Sequence, residues 1–249
     1  MKRTLSLAIG CLFACSASAQ LPRLDDLMKG AGSLAPPRAA TAPASAASAP
    51  EDRQTASGIK EALAVATERA VKDLSRVDGY FGNEAVKILM PEKIRKVADM
   101  ARMAGYQKQV DEFILSMNRA AEAAAPLAAR YFGDAIRSMT LADARGILTG
   151  GDTAATDYFS RKTRDSLYAA FKPVVSKKVG EVGATRAYQA LMGRYESLPL
   201  VSKQSLDLDD YVTNQSLDGL FRMVAEEEKK IRSNPVARTT ELLRSVFGK

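Results

Sequence analysis

Glu226, Glu227 and Glu228 stand in a row, and neighbouring carboxylates are what a metal ion or an acid/base pair requires. On a helix, however, consecutive residues diverge by about 100°, so the three cannot converge on one ion. The pattern favours a solvated face with Glu226–Lys230 and Glu228–Arg232 as i, i+4 pairs, or an ion pair from Glu227 or Glu228 to Arg119 or Arg238. Asn118, Arg119 and Glu122 form a second group. Asn118 lies about 80° from the centre of its helix's apolar face. That half-buried position suits either a ligand or a hydrogen bond to a neighbouring loop. Arg119 and Glu122, spaced i, i+3 on the far side, can pair.

Gly150-Gly151-Asp152-Thr153 precedes a helical stretch, where free backbone N–H groups could hold an anion. It is neither a Walker loop nor G-x-G-x-x-G, and Asp152 puts a negative charge where the anion would sit. A C-capping glycine followed by an Asp152 N-cap explains the run without a ligand. Asp207, Asp209 and Asp210 lack the glycine and distal glutamate of a calcium loop and read as caps. Ser166, Lys162 and Lys172 share one helix, but nothing marks a strained nucleophile turn.

Composition narrows the chemistry further. The 249 residues include no histidine and no tryptophan, two cysteines, and a net charge of +7. Ser-His-Asp and Cys-His machinery and histidine metal sites are therefore excluded. Both cysteines, Cys11 and Cys15, fall within a segment that reads as a signal peptide. Lys2 and Arg3 are followed by an apolar run from Leu5 to Ala14 and by Ala17-Ser18-Ala19 before Gln20. Cleavage after Ala19 would leave a cysteine-free exported chain, which suits an oxidising compartment. The alternative is a lipoprotein anchored through Cys15, on a loose match at Leu12-Phe13-Ala14-Cys15. No later run is long or apolar enough to be a membrane span. The basic surplus is dispersed, with no Lys/Arg cluster interleaved with aromatics, so nucleic acid is not an expected partner.

The elements that must position these residues are helical. Residues 31–50 hold nine alanines, four prolines and three serines, a composition that cannot bury a core. The organisation expected is a signal peptide over 1–19, a disordered linker over 20–52, and one all-α domain over 53–249. Apolar residues recur at 3.6-residue spacing from Ser57 through Ile59, Leu63, Ala66, Ala70 and Leu74, until Asp78-Gly79-Tyr80-Phe81-Gly82 breaks the pattern. Pro91 opens a second helix that Gly105 should stop, and a third runs through Val110, Phe113 and Met117 to Pro126. A fourth follows through Tyr131 to Met139. Thr140 with Asp143 forms a capping box, and Asp152 opens a long helix that Pro173 should kink or end. Helices over 183–196, from Asp209 or Asp210, and after Asn234-Pro235 complete about eight, with no alternating strand segment.

Several runs then agree with one family. Ser116-Met117-Asn118-Arg119-Ala120-Ala121-Glu122, Ile147-Leu148-Thr149-Gly150-Gly151-Asp152-Thr153-Ala154-Ala155-Thr156, Asp209-Asp210-Tyr211-Val212-Thr213, Leu217-Asp218-Gly219-Leu220-Phe221, Ala225-Glu226-Glu227-Glu228 and Asn234-Pro235-Val236-Ala237-Arg238-Thr239-Thr240 occur in this order. In them the chain resembles the bacterial "domain of unknown function 4197" family over most of Ser57 to Gly248. The resemblance implies an exported, helical Gram-negative protein without an assigned activity, and it supplies no functional residues to carry over. One departure is Ile88-Leu89-Met90-Pro91, where the family pattern reads Ile-Pro-Leu-Pro.

The expectation is therefore a noncatalytic periplasmic protein, with no cofactor and no metal, that binds or scaffolds a protein partner in the envelope. The alternative is a carrier whose helices enclose an apolar ligand such as a lipid, for which nine methionines would suit a deformable cavity.

Overall fold

A computed structural model describes residues 48–181 and 207–233. The expected signal peptide, most of the expected linker, the helices expected over 183–196 and after Pro235, and Arg238 lie outside the described residues. Within them the chain is all helical: α1 (Ser48–Ser75), α2 (Glu92–Ala101), α3 (Gln107–Ala124), α4 (Ala128–Ser138), α5 (Leu141–Thr149), α6 (Ala154–Glu181) and α7 (Leu208–Ser233).

Fewer separate helices form than the punctuation of the sequence suggested. Counted as uninterrupted runs, the described residues make five, because α2, α3 and α4 are continuous from Glu92 to Ser138. Gly105 breaks the regular helix with a kink, but no loop separates the helical turns on either side of it. It sits in a π-helical turn over Arg102–Tyr106 at φ +89°, a conformation open to glycine and strained for other residues. Pro126 falls in a 3₁₀ turn, Ala125–Leu127, whose first positions tolerate a missing N–H. Pro173 likewise lies inside α6, which continues to Glu181. At the other end α1 starts at Ser48, so Ser57 is interior to the helix and the first helical turns fall in the stretch read as linker.

α6 packs against α3, α4, α5 and α7, while α1 packs against α4, α5 and α7. Phe113, Phe132, Phe159, Phe171, Leu167, Leu217 and Leu220 fill the shared core with almost no exposure. Phe132 meets the Phe159 ring at 5.0 Å between centroids and the Phe221 ring edge-on at 6.1 Å. Such pairs add about 0.5–1.5 kcal/mol each beyond area burial. Ala120, Ala121, Ala124, Ala125 and Ala128 are buried along the α3–α4 run. No helix among the described residues is long and apolar enough to cross a membrane.

Candidate functional site

The polar residues singled out from sequence assemble into two clamps. The first holds the α1–α2 connection, residues 76–91, against α3. Asn118 is fully buried. Its Oδ1 accepts from the Ile88 N–H at 2.8 Å, and its Nδ2 donates to the Ile88 and Ile114 carbonyls at 2.8 Å each. One turn on, Glu122 accepts through Oε1 from the backbone N–H groups of Tyr80 and Phe81, at 3.1 and 3.2 Å. Its Oε2 accepts from Arg119 Nη1 at 2.6 Å, and Arg119 Nη2 reaches Asp78 Oδ1 at 2.7 Å. Arg119 and Glu122 do pair, but Glu122 is buried, not on a solvated far side, because the loop folds over it. Asp78 itself is the described non-glycine residue with positive φ, at 65°. Gly79 is required next to it: a Cβ there would lie 2.4 Å from the Asp73 carbonyl oxygen.

Tyr80 is the residue that sequence patterning passed over. Its ring is wholly buried, and its hydroxyl donates to the Ser216 carbonyl on α7 at 2.7 Å. Gly219 makes room for it, since a Cβ at that position would come within 2.8 Å of Tyr80 Cε1. Burial, with the Glu122 carboxylate adding to it, pushes the phenol far above its ordinary range, so it stays a neutral donor. Two glycines around an aromatic residue were the only sequence signal for this anchor. Tyr211 adds a tie from α7, donating to the Leu89 carbonyl at 3.0 Å.

The second clamp holds the start of α6. Glu228 is buried and accepts from the Ala155 and Thr156 N–H groups at 3.0 and 2.9 Å, and from the Thr156 hydroxyl at 2.8 Å. Arg232 donates to the same carboxylate from Nε and Nη2, and to the Ile147 carbonyl at the end of α5 at 2.8 Å. The anion seat suggested by Gly150, Gly151, Asp152 and Thr153 is thus filled by the chain's own carboxylate. Those four residues are exposed, and α6 begins at Ala154, so Thr153, not Asp152, flanks its first turn. An acidic group here also complements the positive end of the α6 dipole.

The remaining candidates do not converge. Glu227 is buried and binds Lys230 at 2.6 Å, with Arg69 at 3.9 Å. Glu226 faces Arg222 at 3.8 Å. The expected Glu226–Lys230 pair is thus replaced by Glu227–Lys230, whereas Glu228–Arg232 forms as read. A wholly solvated face is corrected, since α7 turns Glu227 and Glu228 inward. Neither meets Arg119, which is held by Glu122 and Asp78. At the head of α7 the cap is Asp207, whose Oδ1 accepts from the Asp210 N–H at 2.8 Å. Asp209 and Asp210 instead take the Ser176 and Tyr168 hydroxyls. Ser166 is exposed, Lys162 lies over the Tyr158 ring and Lys172 donates to the Tyr168 hydroxyl at 3.0 Å. Among the described residues no three Asp, Glu, Cys or His side chains are grouped to hold a metal ion.

A family model described as "Protein of unknown function (DUF4197)" matches residues 49–248. The chain belongs to the DUF4197 family. No curated protein and no solved structure matches it. Among the described residues, several of the runs that carry the DUF4197 resemblance contribute to the two clamps. The Asn118–Glu122 run holds the Tyr80 and Ile88 loop, Gly219 admits Tyr80, and Glu228 closes on Ala155 and Thr156.

Proposed function

We propose that this DUF4197 chain is an exported, noncatalytic envelope protein that binds or scaffolds a partner protein. The observation that carries this reading is the engagement of Glu122, Glu227 and Glu228. These buried carboxylates take backbone amides or cations of the same chain, and Glu228 has both oxygens occupied. A general acid or base must reach a substrate proton, and these groups are turned to their own fold. The surface, by contrast, presents large apolar side chains, with Val77 74% exposed. A carrier would need an interior cavity; among the described residues the void bounded by Ile59, Ile147 and Ile231 holds only about 10 Å³, and the larger cleft of about 560 Å³ beside Phe81, Gln107 and Leu115 lies open to solvent. That favours the partner-binding reading.

The test is a photo-crosslinking amino acid at Val77, with the exposed Arg130 position as control, expressed in the native host. A discrete protein adduct from position 77 in the envelope fraction, absent from position 130, is the expected result. Absence of an adduct, or one of lipid mass, would overturn the reading. Intact mass of the same sample tests export: a chain beginning at Gln20 is expected, and an acylated Cys15 would make it a lipoprotein.

A further inference from the structure

Helix α2 and the π turn after it carry an outward stripe that neither clamp uses. Ile94, Val97, Ala98 and Ala101 are buried. At 100° per residue Lys93, Lys96 and Met100 fall within about 60° of arc on the other side, and Met103 follows on the π turn. Met100 is 47% exposed and Met103 89%. The acidic residues of the segment are engaged: Glu92 with Arg95, and Asp99 with Arg102, which also meets Asp111 at 3.6 Å. Among the described residues neither Lys93 nor Lys96 meets a carboxylate.

We propose that this stripe docks the protein onto an anionic lipid surface, Met100 and Met103 entering the headgroup boundary while Lys93 and Lys96 pair with lipid phosphates. Charge complementarity selects the occupant. Two uncompensated ammonium groups flank two protruding apolar side chains, on a chain whose net charge is +7 in full and +5 from Gln20 onward, a pairing of cations and apolar groups suited to an interfacial helix face. Lysine stems lie along apolar surface while their heads stay at the phosphate level. A peptide partner is recognised in a groove or at a sheet edge, whereas these side chains project from an exposed helix face. The proposal does not depend on the protein partner proposed above.

The absence of tryptophan gives a clean reporter. In the full chain, M103W places a single tryptophan at the outermost point of the stripe. Its emission should shift to the blue on vesicles containing phosphatidylglycerol, and much less on phosphatidylcholine alone. Each lysine near an anionic surface is worth about fivefold in partitioning, so K93Q/K96Q should weaken vesicle binding about thirtyfold. K162Q/K229Q changes net charge equally at exposed positions elsewhere and should leave binding largely intact. Equal losses from the two lysine pairs, or an unshifted M103W spectrum, would overturn the proposal. Binding of poly-glutamate through Lys93 and Lys96 without vesicle binding would do the same, assigning the stripe to an acidic protein.

Discussion

Asn118 satisfies both backbone groups of Ile88 and one carbonyl of its own helix with a single amide. An aspartate could not donate to the Ile88 carbonyl, and an alanine would leave a buried N–H and C=O without partners, each a cost of about 1–3 kcal/mol. N118A should therefore lose about 2–4 kcal/mol in urea unfolding, and N118D should be destabilised as well. An N118A chain as stable as the parent would mean that the loop is held by other contacts. Helical spacing placed Asn118 half buried with a loop anchor as one use; the use is the one found, but the side chain is fully buried. Its partner was not legible, because Ile88 lies 30 residues away and only tertiary folding brings it in. Glu122 shows the complementary error. Periodicity placed it on the side away from the apolar face, but periodicity describes one helix and knows nothing of a loop laid across it.

Local chemistry fixed the elements unevenly. The Thr140–Asp143 box forms with both halves, Asp143 N–H donating to Thr140 Oγ1 at 3.1 Å and Thr140 N–H to Asp143 Oδ2 at 2.9 Å. All of its partners lie within four residues, which is why sequence revealed it. Those donations from Thr140 hold the Asp143 carboxyl below the usual carboxylate range. A carboxyl whose folded pKa is depressed contributes stability above its unfolded pKa, and that contribution disappears as pH falls through the folded value. T140A should cost about 1 kcal/mol at neutral pH, raise the Asp143 pKa in a carboxyl-resolved NMR titration, and reduce the stability difference from wild type in strong acid. An unmoved Asp143 titration would show that the Thr140 hydroxyl does not act on Asp143 in solution, since the backbone donor remains in this variant. Gly105 and Pro126 do punctuate the run, as a kink and a 3₁₀ turn, but neither opens a loop, so the helical turns on either side stay contiguous. That is why the count of separate helices was too high while the helical class was right.

For the whole molecule, the 3.6-residue spacing of apolar residues was enough to give an all-α domain, but not the pairing of distant runs. Glu228 on α7 is one such pairing, since it and Arg232 join the end of α5 to the start of α6 across more than 70 residues. From sequence alone the carboxylate and the helix N-terminus were two separate candidate sites, one for a cation and one for an anion. The fold makes them each other's ligand, and no external group is needed at either. The same logic applies to Tyr80 and Gly219, which lie far apart in sequence and meet ring to backbone. The account therefore rests on the claim that the buried acidic residues hold the frame and are not held ready to react. Equilibrium urea unfolding of E228Q tests this most directly. Replacing a carboxylate that accepts from two helix amides and an arginine should lower the unfolding free energy by about 3 kcal/mol, with secondary structure retained below the transition. An E228Q protein that unfolds at the wild-type midpoint would free Glu228 for another role and contradict the account.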